Sequence, residues 1–384
     1  MNVLFITDNY ILEKVDGVYF HRCIDEHIKA YQSLGSIRLC LPVSNTVSIS
    51  RKVDLSGIGV REIHKENNIR RRFFDRTYNK QVIEEEVMAS DIIVAFVPSS
   101  VCSLAQVYAQ KHNKVFLSVV IASAWDILWY HSLKGKFMAP ISHFNTKKTI
   151  RNSNYVVYVT EKYLQKKYPT NGVSIGLSDV VLEDYDESAA IRKKCFFEDK
   201  KDLKHIDLMS IGAIDVRYKG HADVLRAMSL LVKEGYDIHY WLIGGGSDHY
   251  IKTIAEKYSL ESRLHLMGAL PHEEIFQTFE SIDIYVQPSH TEGMPRAIIE
   301  AMSRAVPVIC SNAGGMPELI EDHCIYSVGD ISGLTDKIRT LASSQNALIM
   351  QSQRNHIKAA DFQKNILKEK RDTFLSDIKN RHEL

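Results

Sequence analysis

Two carboxylates, Glu292 and Glu300, stand eight positions apart in the stretch EGMPRAIIE. Between them lie Gly293, Met294, Pro295 and Arg296. Pro295 suits the first turn of a helix, where a missing N–H costs nothing, so the stretch predicts a loop that hands over to a helix near 295–304. The helix start around 294–297 then offers free backbone N–H groups and the positive end of a helix dipole, a site for phosphate. Glu300 falls about 7 Å further along the axis. A nucleoside diphosphate carrying a sugar would match this spacing, with phosphates at the helix start, ribose at Glu300 and sugar near Glu292. A carboxylate suits ribose because it can accept two hydroxyl hydrogen bonds. Without that chemistry the same residues make a surface helix with an Arg296–Glu300 pair in the weaker i,i+4 orientation.

A second set of polar residues follows an apolar run in SIGAIDVRYKGHADVLRAM (210–228). Arg217 and Lys219 sit in the loop that opens the next helix. Two cations there would clamp a diphosphate and neutralise the charge on a leaving nucleotide. The plainer reading is two solvated loop cations. His290, beside Glu292, either touches the same ligand or caps its loop. His272 after Pro271 reads as a helix start. Asp184-Tyr185-Asp186 has the form of a DxD metal motif, but three-residue matches arise by chance and no metal site is expected. GGGSDH (244–249) reads as a tight strand-to-helix turn. The six cysteines are scattered, with no CxxC pair, as expected of reduced thiols in a cytoplasmic protein.

The elements that must position these residues are legible in the apolar pattern. VLFIT (3–7), IRLCLPV (37–43), DIIVAFV (91–97), VFLSVV (115–120) and YVVYVT (155–160) lack period-2 alternation and predict parallel strands buried on both faces. Helical patterns such as 19–33 and 101–111 lie between them. The alternation restarts with strands at 206–212, 238–244, 263–268, 282–288 and 306–311, separated by helices near 220–234, 248–258, 272–281 and 295–304. The fold class predicted is α/β, with two Rossmann-like doubly wound domains and a ligand cleft between them. The expected divisions are 1–170, 171–355 and a helical segment 356–384 that packs back toward the first domain. The hinge is placed in YPTNGVSIG (168–176).

Length and composition, 384 residues with 45% hydrophobic and 25% charged, are those of a soluble two-domain enzyme. No apolar run reaches the length of a membrane span, and MNVLFITDNY reads as a buried strand rather than a signal peptide. Net charge is +8 over residues 1–170 and −7 over the remainder. That asymmetry points to an anionic partner for the first half, or to two domains of opposite charge that complement each other. IRRRFFDRTYNK (69–80), with arginines among aromatics, would meet a membrane or a lipid diphosphate, or else cover the core. No nucleic-acid motif accompanies it.

Taken in order, the RYKG loop, LIGGGSD (242–248), LMGALPHEEI (266–275) and QPSHTEGMPRAIIEAMSRAVPVICSNAGGMPELI (287–320) resemble glycosyltransferase family 4, the group 1 glycosyl transferases of GT-B fold. The EGMPRAIIEAM variant resembles members that assemble capsular and exopolysaccharides. The first half resembles that group more weakly, through AWDILWYHS (124–132) and YVTEKYLQKKYP (158–169). The resemblance implies Glu292 beside the donor sugar, Glu300 on the ribose, Arg217 and Lys219 on the diphosphate, and backbone of Gly293, Met294 and Pro295 close to the ligand. Arg296 and His290 belong to the same donor-binding stretch. Gly17 corresponds to one of a usual glycine pair, here Asp16-Gly17. The usual histidine of the first domain is missing, and Asp126 or His131 would take its place. A charge at Asp126 among Trp125, Trp129 and Tyr130 needs a partner.

The expectation is thus a metal-independent, retaining hexosyl-type glycosyltransferase with no cofactor beyond its nucleotide-diphosphate-sugar co-substrate. Its acceptor would be a polysaccharide or lipid-linked oligosaccharide in surface polysaccharide biosynthesis. It would act in the cytoplasm, with peripheral membrane contact through the basic first domain. A non-catalytic nucleotide-sugar-binding scaffold and a GT-B nucleotide-sugar epimerase are the alternatives.

Overall fold

Strands buried on both faces must be covered by helices on both sides, which forces parallel pairing through helical crossovers. The computed structural model, which describes residues 1–21, 24–45, 51–64 and 72–382, builds two such sheets. The chain forms two compact units, Met1–Leu177 with Lys368–Leu384, and Ser178–Leu367.

The first unit holds β1 (Asn2–Ile6), β2 (Leu12–Val15), β3 (Val18–Phe20), β4 (Ser36–Ser44), β5 (Lys52–Val53), β6 (Gly59–Ile63), β7 (Ile92–Val97), β8 (Val115–Val120), β9 (Tyr155–Tyr158) and β10 (Val173–Gly176). The order β10-β9-β8-β7-β1-β4 is parallel throughout, and β6 joins β4 in parallel. All six residues of β7 are buried, as its unbroken apolar run requires. Residues 19–33 are not one helix. Asp16 and Gly17 both have positive φ, 50° and 79°, and form the two-residue turn of a β2–β3 hairpin. Among the described residues the helix spans Ile24–Tyr31. Within the stretch expected as hinge, Val173–Gly176 pairs with β9 as the edge of the sheet, and the division falls after Leu177.

The second unit holds β11 (His205–Ile211), β12 (Asp237–Ile243), β13 (Leu264–Gly268), β14 (Ile284–Gln287), β15 (Val308–Ser311) and β16 (Ile325–Tyr326). Their order is β13-β12-β11-β14-β15-β16, every pair parallel, the arrangement of a dinucleotide-binding fold. The core between sheet and helices includes Leu208, Leu242, Val286, Ile298, Ile309 and Leu334, all fully buried. The helix Gln345–Ala359 packs within this unit, against helices Ala189–Glu198 and Arg296–Ser303. The last helix, Lys364–Arg381, carries the chain back into the first unit. There Tyr155 Oη lies 3.0 Å from His382 Nε2, and Lys379 donates to the Ser33 carbonyl at 3.1 Å.

One buried charge holds a corner of the second unit. Lys193, 1% exposed, donates to the carbonyls of Phe279, Glu280 and Ile282 at 2.9, 3.1 and 2.6 Å. These acceptors lie at the end of helix His272–Ser281, where carbonyls lack intrahelical partners and the helix dipole favours a cation. Burial pulls the lysine pKa down to about 8. Lys193→Ala strands three carbonyls and is expected to lower unfolding stability by about 2–4 kcal/mol in urea denaturation. A loss below about 0.5 kcal/mol would show that solvent replaces the lysine freely.

Candidate active site

The strand order of the second unit reverses between β11 and β14, so the loops leaving their carboxyl ends diverge and open a crevice, the usual ligand position in such sheets. After β11, residues 212–220 end in a 3-10 turn, Arg217–Lys219, and then Gly220. After β14, residues 288–295 lead into helix Arg296–Ser303. The two loops are pinned together. The His290 N–H donates to the Tyr218 carbonyl at 2.7 Å, and the His290 ring bonds the buried Asp223 carboxylate through Nε2 at 2.8 Å. Gly220 has φ +76°, and a Cβ there would lie 2.0 Å from the Pro288 carbonyl oxygen. Only glycine permits both the angle and the approach.

Pinning brings Lys219 to Glu292. Its Nζ lies 2.7 Å from Oε1 of the carboxylate, with the two side chains 23% and 14% exposed. The same oxygen accepts from Ser289 Oγ at 2.7 Å and from Gln287 Nε2 at 3.1 Å. Gln287 Oε1 in turn accepts from the Tyr285 hydroxyl, and Ser289 and Tyr285 are fully buried. Burial pushes the Tyr285 phenol well above its ordinary value, so it remains a donor. Among the described residues, Oε2 of Glu292 has no hydrogen-bond partner. The Glu292 backbone is held from behind, because Gly314 approaches so closely that a Cβ would meet the Glu292 carbonyl oxygen at 1.9 Å. Next to it, the Gly315 N–H donates to the Gly293 carbonyl at 3.0 Å.

Met294 packs on the core, Pro295 is buried, and the helix starts at Arg296, one residue after Pro295. No side chain caps that start. Glu300 is 7% exposed and its Oε1 is bonded by His272 Nε2 at 3.1 Å. The Arg296–Glu300 surface pair is not formed. Arg296 has no ion pair among the described residues, and it lines with Glu300, His272 and Arg304 a cavity of about 400 Å³. Arg217 does not join Lys219. It is exposed, and its guanidinium lies 4.8 Å from the Tyr250 ring centre.

Two sequence candidates belong to the first unit. Gly17 is the second residue of the β2–β3 turn, where its positive φ explains the glycine. Asp126 accepts from the Tyr163 hydroxyl and from Lys167 Nζ at 2.7 Å, so its charge ties helix Ala124–His131 to helix Tyr163–Lys167. The His131 side chain and residues 69–71 lie outside what is described, as does Cys23.

Sequence reading missed Gln287, Ser289, Asp223 and His272. Gln287 carries a signal after the fact, a polar residue ending an otherwise apolar strand. Asp184 and Asp186 face Arg304, and Asp186 also pairs with Arg192 at 2.6 Å, which holds its carboxyl far below the usual range. His205, Asp237 and His239 form a metal-ligand-like group at the opposite, amino-terminal end of β11 and β12. Arg263 is bonded to Asp237 there, and a fixed cation on that carboxylate disfavours a second one.

Behind Lys219, His221 is buried against the Tyr240 hydroxyl at 3.0 Å. Burial, helped by the Lys219 charge, lowers its pKa to about 4. The unfolded chain therefore binds more protons than the folded one between pH 4 and about 6.5, and stability falls as pH drops through that window. The expected loss from this group is about 2–3 kcal/mol. Urea midpoints measured from pH 7 to 4 should show it, with a smaller fall in His221→Asn; equal slopes for both proteins would disprove the assignment. Gly220→Ala should cost about 2–4 kcal/mol by the same measurement. A neutral Gly220→Ala would mean that the loops are not in contact.

Comparison with known proteins agrees with this architecture. Residues 191–362 match the family described as glycosyl transferases group 1. Protein CapJ of Staphylococcus aureus is 33% identical over 264 residues, covering 67% of this chain and 65% of CapJ. The amylovoran biosynthesis glycosyltransferase AmsK of Erwinia amylovora is 36% identical over 110 residues, 27% of either chain. The chain thus spans less than two thirds of these relatives' length. The crystal structure of Anabaena Alr3699/HepE in complex with UDP superposes with a TM-score of 0.66 at 13% identity, over 98% of this chain and 100% of that one, which shows a shared fold. Two parallel Rossmann-like sheets and the matched second unit lead to one assignment: the chain has the GT-B fold, and residues 191–362 belong to the glycosyl transferases group 1 family.

Proposed function

We propose that this protein transfers a sugar from a nucleoside diphosphate donor to a hydroxyl of a polysaccharide or lipid-linked oligosaccharide, in surface polysaccharide biosynthesis. The observation that carries the reading is the Lys219–Glu292 pair at the strand-order reversal, beside a helix start with no side-chain cap. An ammonium has three donors, so Lys219 can hold Glu292 and still donate to a diphosphate. In this reading the open Oε2 of Glu292 accepts a sugar hydroxyl and Glu300 accepts ribose hydroxyls. The biosynthetic role of AmsK supports the polysaccharide class.

In the step proposed, the bond from the anomeric carbon to the diphosphate oxygen breaks and a bond from the acceptor oxygen to that carbon forms on the same face. The acceptor proton passes to the departing phosphate oxygen. Lys219, the helix N–H groups and Arg217, once it leaves Tyr250, would stabilise the charge that develops on the leaving group. The reading assigns that task to these groups rather than to a metal ion, as the family resemblance implies. Asp126 is given a positioning role, because Lys167 and Tyr163 already occupy its carboxylate.

Thermal shift with UDP, GDP, ADP and CMP tests the site first. One nucleoside diphosphate at a hundredfold excess over its Kd should add about 2.7 kcal/mol of stability, and Glu300→Ala should remove most of that gain. No shift with any nucleotide would defeat the proposal. With the matching nucleotide sugar and an acceptor polysaccharide, Lys219→Ala should lower kcat by about 10²–10³-fold, with a smaller change in KM. Donor isomerisation without acceptor would indicate an epimerase, and binding without turnover a scaffold.

A further inference from the structure

Helix Leu133–Arg151 buries the wrong side chains for an ordinary surface helix. Its inward face carries Gly135, Ala139, Thr146, Thr149 and Ile150. Its outward face carries Leu133, Phe137, Ile141 and Phe144, which are 77%, 82%, 55% and 67% exposed. Spacings of four, four and three residues put these side chains on one stripe. A helix of a water-soluble fold normally turns such a stripe to the core. The preceding helix, Ala124–His131, extends the patch with exposed Ile127, Trp129 and Tyr130. Contiguous exposed apolar surface of this kind marks an interaction site.

The charges around the stripe identify the partner. Between Asp126 and Glu161 the chain has no acidic residue, while Lys134, Lys136, Lys147, Lys148 and Arg151 are all present and exposed. At 100° per residue, Lys134, Lys136 and Lys147 flank the stripe, while Lys148 and Arg151 continue it past Phe144. The Lys136 ammonium lies 5.4 Å from the Trp129 ring centre. Lysine stems can lie on apolar surface while their ammonium groups reach outward, and Trp and Tyr favour a boundary between apolar and wet surroundings. A second copy of the same face would set five cations against five, which opposes self-association. No helix among the described residues is long and apolar enough to cross a membrane.

We infer that helices Ala124–His131 and Leu133–Arg151 form a docking face for a lipid bilayer bearing anionic headgroups. Leu133, Phe137, Ile141 and Phe144 enter the boundary between headgroups and acyl chains, and the lysines and Arg151 pair with lipid phosphates. This face lies outside the arginine-rich stretch 69–80, where the sequence had placed membrane contact. It is independent of the proposed transfer reaction.

The test is co-sedimentation of the full chain with large vesicles of phosphatidylcholine alone and of an equal mixture with phosphatidylglycerol. Binding is expected to the mixture, weakening as salt is raised, with little on phosphatidylcholine. Phe137→Ser/Phe144→Ser should lower the partition coefficient at least about tenfold. Lys147→Glu/Lys148→Glu should lower it by a similar factor, with melting temperatures kept within about 2 °C of the parent to show intact folds. Absence of wild-type binding to the mixture, or undiminished binding by both variants, would overturn the inference. So would a dimer in sedimentation velocity that the phenylalanine variant dissolves while vesicles bind nothing, which would make the face a contact between copies.

Discussion

The candidate site depends on one close approach. Gly220 of the loop after β11 touches the carbonyl of Pro288 at the end of β14, at a distance that leaves no room for a side chain. Strand order brings the two loops side by side; the missing Cβ lets them touch. Contact then sets Lys219 against Glu292 and lets His290 reach Asp223. A polar pair that would be worth little on an open surface is strengthened here by partial burial and by Ser289 and Gln287, which hold the carboxylate oxygen in place.

Glu292 and Asp126 show how the same residue type is committed differently by its surroundings. Glu292 takes three donors on one oxygen, and the chain of donors runs back through Gln287 to the buried Tyr285, inside the strand. That leaves the carboxylate oriented with one oxygen in hand. Asp126 receives both of its donors from one short helix, so its charge is used in joining two helices. Burial alone would not separate the two cases; the count and placement of donors does.

Much of the architecture was legible because parallel strands buried on both faces have an unmistakable apolar signature, and the second domain's strands and helices fall where that signature places them. The family and the GT-B fold followed from motifs in order. What escaped was set by contacts between residues distant in the chain. Glu300 meets His272 across 28 positions, and Asp126 meets Tyr163 and Lys167 across 37 and 41. The β2–β3 hairpin is local, with Asp16-Gly17 at its turn, but its second strand, Val18–Phe20, runs into the stretch 19–33 whose apolar residues also fit a helical period. The outward stripe of helix Leu133–Arg151 escaped for another reason. Periodicity tells which residues share a face, and small residues such as Gly135 and Ala139 on the opposite face decide which side can press close to the core.

The return of Lys368–Leu384 to the first unit has a consequence for how the chain is made. The second unit is an insertion in the first, and it is the only one of the two drawn from a single uninterrupted segment. During synthesis it can therefore close before the first is complete. The first sheet emerges earlier from the ribosome, but must wait for helix Lys364–Arg381 to cover Tyr155. The order of completion is the reverse of the order of translation, and the N-terminal half is the part that a nascent chain leaves longest with uncovered apolar surface.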